Sequence, residues 1–314
     1  MSGMRRHLFV VALIGLAAVT VVQAASAKKE GQLIRKTDTS AWSTPSSDPT
    51  GLTYDAKLGK LLISDSEVDE THLWKKRNLF VVSKTGALSG TRRLTKATFE
   101  PEGISWYPRG KSLFVVDDDK DAIFRFGRGA DRKVGTKDDK VRELVNTKRY
   151  GSKDAEGVTW HTRRGKLDML IWADASTEHI YEVKPGHDHR FGTSDDVKKR
   201  EFAASNFALN NRHMMDPNGV FLDRKSGHLF IVDTHKHFVA ETTLGGSLVR
   251  IIDMPFCRAT SVTAPGCHGF SDVVFAPGPS GARRLYLTDR GVDNEQDPNE
   301  NDGRLYQVKI VDVP

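Results

Sequence analysis

The sequence predicts an all-β fold: a single β-propeller built from four-stranded blades. One phrase, two short apolar runs around a polar turn, occurs five times along the chain. The copies follow one another at intervals of roughly 50–60 residues, a length typical of propeller blades. Almost no apolar pattern follows the 3.6-residue period of an α-helix, which excludes a helical solenoid.

Each copy of the repeated phrase predicts two antiparallel strands joined by a turn rich in Gly, Lys and Pro. A small or polar residue, usually followed by Gly, precedes the first apolar run, and Asp is the last residue of the second run. The five copies are DPTGLTYDAKLGKLLISD (48–65), EPEGISWYPRGKSLFVVD (100–117), DAEGVTWHTRRGKLDMLIWAD (154–174), DPNGVFLDRKSGHLFIVD (216–233) and the divergent GFSDVVFAPGPSGARRLYLTD (269–289).

Two further strands complete each repeat. A third run follows the phrase, as in NLFVVS, AIFRFG and HIYEVK, and a fourth run such as VRELV precedes the next phrase. Four strands per repeat are typical of a propeller blade. The last repeat ends after its third strand, so we expect the N-terminal segment GQLIRKTDT to supply the outer strand and close the ring. Closure removes exposed sheet edges. Five repeats are counted, and six blades, one of them eroded, are the alternative.

The Asp that ends each phrase occupies one equivalent place in every repeat. A catalytic group is needed once, whereas a structural device is needed in every blade. We therefore expect these residues to cap turns by accepting backbone N–H bonds. They are Asp65, Asp117, Asp174, Asp233 and Asp289.

The N-terminus has the pattern of a secretory signal peptide. Arg5 and Arg6 precede an apolar run, and cleavage sites of the A-x-A type end at Ala24 and Ala27. We expect residues 1–27 to be removed and residues 28–314 to form one propeller domain, secreted or periplasmic. An uncleaved anchor is the alternative, but the run is shorter than the roughly 18–20 residues that a span needs.

Two cysteines and a mildly basic charge narrow the class of protein. Cys257 and Cys267 form an even pair in an exported chain, which predicts a disulfide. The formal net charge is +6, but Lys and Arg are scattered among acids, so we expect no nucleic-acid partner. We expect a monomer without a stable membrane span after cleavage.

The residues that enter the first strand of each blade are expected to converge on one mouth of the central channel. They carry oxygen in every copy, and converging oxygens suit a hard cation such as Ca²⁺. The sequence therefore predicts a site for Ca²⁺ or another divalent metal. The converging residues are Thr50, Glu102, Glu156, Asn218 and, in the divergent copy, Asp272 or its neighbour Ser271.

The run PNGVFLDRKSGHLFIVDT and the two E-G-x-x-W phrases resemble blades of the regucalcin and gluconolactonase family. The resemblance implies a propeller that hydrolyses sugar lactones with a divalent metal in its channel. It implies Asn218 and Asp272 as metal ligands, together with Glu102 or Glu156. This chain departs from the family in having Val273 where a Gly follows the Asp ligand, and in showing five repeats rather than six.

With a metal in the channel, a lactone or ester carbonyl would be polarised and a bound water made more acidic. A neighbouring side chain would then take the proton. The candidates for this catalytic base are Asp272 and His268, followed by Asp216.

Two loops share the pattern G-x-D-x-x-x-G-T-x-D-D: GADRKVGTKDD (129–139) and GHDHRFGTSDD (186–196). Their acids are possible Ca²⁺ ligands, but Arg132, Lys133, His189 and Arg190 place positive charge in the same loops, which favours a structural role. The alternative to Ca²⁺ binding is an Asp-rich turn held by side-chain to backbone bonds. The acids concerned are Asp131, Asp138, Asp139, Asp188, Asp195 and Asp196.

The sequence thus leaves two functions open. One is an exported, metal-dependent hydrolase of a lactone, ester or sugar derivative, with a small-molecule substrate. The other is a non-catalytic propeller of the cell envelope whose loops bind a protein, peptide or glycan partner. Both functions occur on propellers, so the fold does not choose between them.

Overall fold

The computed structural model describes residues 29–258, 266–291 and 297–313. The predicted signal peptide lies outside this range. The described residues are almost entirely strands and turns, with a few single-turn 3-10 helices at Val68–Glu70, Lys148–Tyr150, Ala204–Asn206 and Pro255–Cys257. None of the helices among these residues has the length and apolar content that crossing a membrane requires.

The strands group into sheets of four that follow the sequence repeats. Within each of the first three sheets, neighbours in sequence are antiparallel neighbours in space. The first sheet is β2 (Pro49–Asp55), β3 (Lys60–Asp65), β4 (Leu79–Val82) and β5 (Leu88–Arg92). The second is β6 (Ile104–Tyr107), β7 (Ser112–Asp117), β8 (Ala122–Gly127) and β9 (Lys140–Asn146). The third is β10 (Ala155–Arg163), β11 (Lys166–Asp174), β12 (His179–Lys184) and β13 (Val197–Ala203).

The remaining strands form one eight-stranded sheet and a small hairpin. The hairpin is β14 (Ala208–Leu209) and β15 (Arg212–His213). Half of the large sheet is β16 (Pro217–Asp223), β17 (His228–Asp233), β18 (Phe238–Thr243) and β19 (Leu248–Asp253). The other half is β20 (Asp272–Pro277), β21 (Arg283–Asp289), β22 (Arg304–Asp312) and β1 (Lys29–Asp38).

The N-terminal strand pairs with the C-terminal one. β1 runs antiparallel to β22 from Lys29 opposite Asp312 to Asp38 opposite Arg304. It also meets β19 in parallel at Lys29 and Glu30, which joins the two halves of the eight-stranded sheet. β1 is therefore the outer strand of the last repeat, the place that the sequence predicts for it.

Apolar side chains fill the space between neighbouring sheets. Between the second and third sheets, Tyr107, Trp160 and Trp172 belong to one buried cluster. The indole of Trp160 donates a hydrogen bond to the carbonyl of Trp106 at 3.0 Å. Most members of this cluster occupy every second position along their strands. The residues between them point to the opposite face, so both faces of a blade present side chains for packing.

Glycines in the inner strands let neighbouring sheets approach backbone to backbone. A Cβ at Gly51 would lie 2.5 Å from the carbonyl of Glu102, and one at Gly103 2.6 Å from that of Glu156. A Cβ at Gly157 would lie 2.3 Å from the carbonyl of Asn218. β16 packs on β20 in the same way, since a Cβ at Gly219 would lie 2.7 Å from the carbonyl of Ser271. The Gly that follows Thr50, Glu102, Glu156 and Asn218 is therefore a packing requirement.

Replacing Gly157 with Ala is expected to destabilise the fold by about 2 kcal/mol, because overpacking shifts backbone that has no room to move. The measurement is the free energy of urea unfolding. Gly127→Ala is the control, since a Cβ there meets Lys140 at an ordinary 3.4 Å. Equal stability losses in the two variants would contradict the packing role of Gly157.

The Asp that ends each phrase accepts backbone hydrogen bonds, as predicted. Asp65 accepts from the amides of Asp48 at 3.1 Å and Val68 at 2.8 Å. Asp174, Asp233 and Asp289 likewise accept amides from the loop before the phrase, while Asp117 accepts that of Lys120. The turn-capping prediction is confirmed.

The predicted disulfide is present between Cys257 and Cys267, whose Cα atoms are 4.7 Å apart. Its loop precedes β20, and the residues at 259–265 lie outside the described range. Both cysteines pack in the cluster that holds Phe270 and Tyr306, so the bridge anchors the approach to the last inner strand.

Candidate functional site

The starts of the inner strands lie on one face of the molecule. Pro49 is paired with Asp65, and Pro217 with Asp233, so each inner strand begins beside the capping Asp of its neighbour. The five residues predicted to converge are all buried at this face, between 1% and 7% exposed. We call this cluster the mouth; it consists of Thr50, Glu102, Glu156, Asn218 and Asp272.

Glu102 and Glu156 form a pair of adjacent carboxyl groups in the mouth. They hydrogen-bond each other across two neighbouring sheets. Burial, and then the proximity of Glu156, raises the pKa of Glu102 well above its usual range. Burial raises the pKa of Glu156 to about 8. Each keeps a buried Oε2 atom without a hydrogen-bond partner among the described residues.

Two further acids border this pair. Burial raises the pKa of Asp118 to about 6, and its buried Oδ1 also lacks a hydrogen-bond partner in the described part of the chain. Burial raises the pKa of Asp154 as well, while a hydrogen bond from Ser176 opposes the shift. Like charges at short range oppose full ionisation, so a negative charge on one glutamate of the pair favours the protonated form of the other.

Arg290 supplies the positive charge of the mouth. Its side chain is largely buried, and the carboxyl groups of Asp48, Glu102 and Glu156 together raise the pKa of the guanidinium above its usual range, against the effect of burial. In return Arg290 lowers the pKa of each of these acids. Because guanidinium stays protonated at all ordinary pH values, the mouth holds a permanent cation.

Asp272 has a different environment from the two glutamates. Its Oδ2 accepts the amide of Leu52 at 2.6 Å, and its Oδ1 accepts its neighbour Val273 at 2.7 Å. Both oxygens are thus occupied by backbone donors. The carboxyl group bridges the last inner strand to the first, and the predicted roles of Asp272 as ligand and base gain no support from this geometry.

The predicted ligands do not complete the coordination of a divalent metal by themselves. Glu102, Glu156, Asn218 and Asp272 are four side chains, whereas Ca²⁺ takes six to eight oxygens. Arg290 already places positive charge beside both glutamates. Within the described ranges, no group of three or more His, Cys, Asp and Glu side chains is arranged to hold a metal ion. A divalent metal in the mouth is therefore not confirmed.

His268 lies on the same face but has its own partner. Its Nδ1 is 3.0 Å from Oδ2 of Asp302, and this hydrogen bond raises the pKa of the imidazole. Its backbone amide donates to the capping Asp289. Asp216, the next predicted base, is bound by the hydroxyl of Thr234 and lies 3.3 Å from His235. The structure brings neither residue into contact with the glutamate pair.

The two G-x-D-x-x-x-G-T-x-D-D loops have the same hydrogen bonds. In the first, Asp138 accepts the amide of Asp131 at 3.0 Å, and Asp139 accepts that of Gly135 at 2.7 Å. In the second, Asp195 accepts the amide of Asp188 at 3.1 Å, and Asp196 accepts that of Gly192 at 2.8 Å. These bonds match the Asp-rich turn that the sequence offers as the alternative to calcium binding.

Sequence reasoning missed Asp48, Glu67 and Arg290. Arg290 and Asp48 shift each other's pKa values, and the charge of Glu67 acts on both, so the residues just after the capping Asp65 and Asp289 lie together at the mouth. One signal was available for Arg290. The residues that follow the five capping Asp residues are Ser66, Asp118, Ala175, Thr234 and Arg290. Arg290 is the only one of the five with a positively charged side chain.

Comparisons with known proteins identify the fold. No protein-family model matches the sequence, and no curated protein matches it. Among solved structures, the PQQ-bound aldose sugar dehydrogenase from Streptomyces coelicolor is similar, with a TM-score of 0.50 and 12% identity over 91% of this chain and 99% of that one. The luciferin-regenerating enzyme has a TM-score of 0.48 and 13% identity, over 90% and 95% of the two chains. The chain is a β-propeller. At this identity the resemblance to regucalcin is supported only as far as the fold.

Proposed function

We propose that the protein is an exported propeller that hydrolyses a lactone, ester or related sugar derivative at its mouth. The observation that carries this proposal is the glutamate pair: burial raises the pKa of both carboxyl groups, and the hydrogen bond between them raises the pKa of Glu102 further but opposes the rise at Glu156. Two carboxyl groups whose environments separate their pKa values are the usual basis of acid–base assignments. We also propose five blades, with β1 closing the ring.

The pair divides the chemistry between its two members. Glu156, with a pKa of about 8, ionises first and takes the proton of a water that attacks the carbonyl. Glu102 keeps its proton to higher pH and donates it to the leaving oxygen. Arg290 stabilises the negative charge that develops on the carbonyl oxygen. Asn218, which is also buried in the mouth, is the amide available to bind the substrate. No step is assigned to a divalent metal.

The test is a screen of the mature chain, residues 28–314, on lactones and esters. Glu102→Gln and Glu156→Gln are each expected to lower kcat/KM at least about 100-fold, the usual contribution of a general acid or base. Activity should rise with pH toward about 8 as Glu156 ionises, and this rise should vanish in Glu156→Gln. Glu143→Gln, on the exposed side of β9, is the matched control.

Chelation separates this mechanism from the metal-dependent one. We expect turnover to survive exhaustive dialysis against a chelator. Loss of turnover that added Ca²⁺ restores would contradict the proposed mechanism and favour the metal site predicted from the sequence. Absence of turnover on every lactone and ester would instead favour the non-catalytic propeller that binds an envelope partner.

A further inference from the structure

A basic cleft lies on the face opposite the mouth, where the turns within each sheet end. It has a volume of about 670 Å³ and is formed by the first sheet, the second sheet and the 129–139 loop. No acidic side chain lines it among the described residues. The cations that line it are Lys57, Arg92, Lys111, Arg128, Arg132 and Lys133.

Two of these cations, Arg92 and Arg128, are partly buried and are held by contacts with the protein. The side chain of Arg128 is 15% exposed, stacks on Trp106 at 4.8 Å and lies 3.3 Å from Asp55. Its buried Nε has no hydrogen-bond acceptor in the described part of the chain. Arg92 donates to the carbonyl of Val134 at 3.0 Å. Burial lowers the pKa of Arg92, and the positive charge of Arg128 contributes to the same shift.

The acids nearest the cleft are already engaged by backbone donors. Asp55 accepts the amides of Lys57 at 2.9 Å and Leu58 at 3.3 Å. Asp139 accepts those of Gly135 and Thr136 from its own loop. These acids keep their charge, and Asp131 also acts on Arg92, but six cations line the cleft against the three acids beside it. The cleft therefore has an excess of positive charge, which an anion would offset.

The twin loop at 186–196 provides an internal control for the role of these cations. It has the same hydrogen bonds, but Pro185 stands where Arg128 precedes the first loop. Gly135 packs against Arg92, whereas Gly192 packs against the carbonyl of Leu144. The cleft beside the twin loop has its own cations, Arg163, Arg164 and Lys166, but it is also lined by Asp168, and none of its cations comes from the position that precedes the loop. The loop fold therefore requires neither buried arginine.

We propose that the basic cleft binds the phosphate group of a small phosphorylated ligand. The planar guanidinium groups of Arg92 and Arg128 match phosphate oxygens two at a time, and such charge-assisted bonds are among the strongest in proteins. Lys57, Lys111 and Arg132 at the rim would attract the anion and add contacts to its remaining oxygens. This site is separate from the mouth and does not depend on the hydrolase activity.

The test is calorimetric titration of the mature protein with inorganic phosphate and with glycerol phosphate. We expect saturable binding at one site, weakened at least tenfold by Arg92→Gln and by Lys111→Gln. Lys111 is exposed, so its variant tests the cleft without a change in the core. Lys166→Gln, beside the twin loop, is the matched control and should bind as the wild type does.

Three results would overturn the proposal. Binding that does not saturate would show a general effect of positive surface charge. An affinity for phosphate that falls as much in Lys166→Gln as in Lys111→Gln would show the same. Binding to phosphatidylglycerol vesicles without binding of free glycerol phosphate would show a membrane surface rather than a small ligand. Glu156→Gln should leave phosphate binding unchanged. The proposal of hydrolysis at the mouth and the proposal of phosphate binding in the cleft can therefore be rejected independently of each other.

Discussion

Replacing Glu156 with Gln is expected to stabilise the protein at pH 8.5 by roughly 3 kcal/mol and to change its stability little at pH 5. Burial raises the pKa of Glu156 from 4.5 to about 8 in the folded protein. Between these values the folded state keeps a proton that the unfolded state has released. The free energy of unfolding of the wild type therefore falls as pH rises from 4.5 to 8, and then levels off. Gln is neutral throughout and removes this contribution.

The measurement is urea unfolding at half-unit steps from pH 4.5 to pH 9, compared between wild type and variant. Glu143→Gln, which removes an exposed carboxylate from β9, is the control and should follow the wild-type curve. Other buried acids, such as Asp272, add pH dependence to both proteins equally, so the difference between the curves isolates the pair. A Glu156→Gln curve parallel to that of the wild type would contradict the raised pKa.

Much of the fold could be predicted from the sequence because its determinants are local. The alternation of apolar residues, the Gly that follows a converging residue in the first four repeats and the Asp that ends each phrase all lie within about 20 residues of one another. The outer strand β1 was predictable by counting, since the last repeat lacks a fourth strand. Its two-residue contact with β19 was not, because no pattern in β1 marks that pairing.

The site was only partly predictable, for a reason that Asp272 illustrates. Its position in the repeat correctly places it in the mouth. Whether its oxygens are free depends on Leu52, whose amide reaches it from the opposite end of the chain. Arg290 illustrates the same limit, because a loop side chain can point toward the axis or toward solvent. Sequence position identifies which residues converge, whereas three-dimensional neighbours decide which atoms remain available for chemistry.

Removing the cation of the mouth is expected to have a large effect on stability. Arg290→Met should destabilise the protein at pH 8.5 by about 3–5 kcal/mol, the usual consequence of removing one partner from a buried set of charges. At pH 5 the loss should be less than about half as large. The reason is that Glu102 and Glu156, whose pKa values are raised by burial, are then protonated with or without Arg290.

The control for this variant is Arg212→Met, an exposed position on the β14–β15 hairpin, which should change stability by no more than about 0.5 kcal/mol. Arg290→Lys retains the charge and should recover part of the loss at pH 8.5. A destabilisation of Arg290→Met that is equal at both pH values would mean that the side chain acts by packing alone. A destabilisation found mainly at high pH would mean that the guanidinium offsets the repulsion among the ionised acids of the mouth. This is the electrostatic role that the proposed catalytic site requires of Arg290.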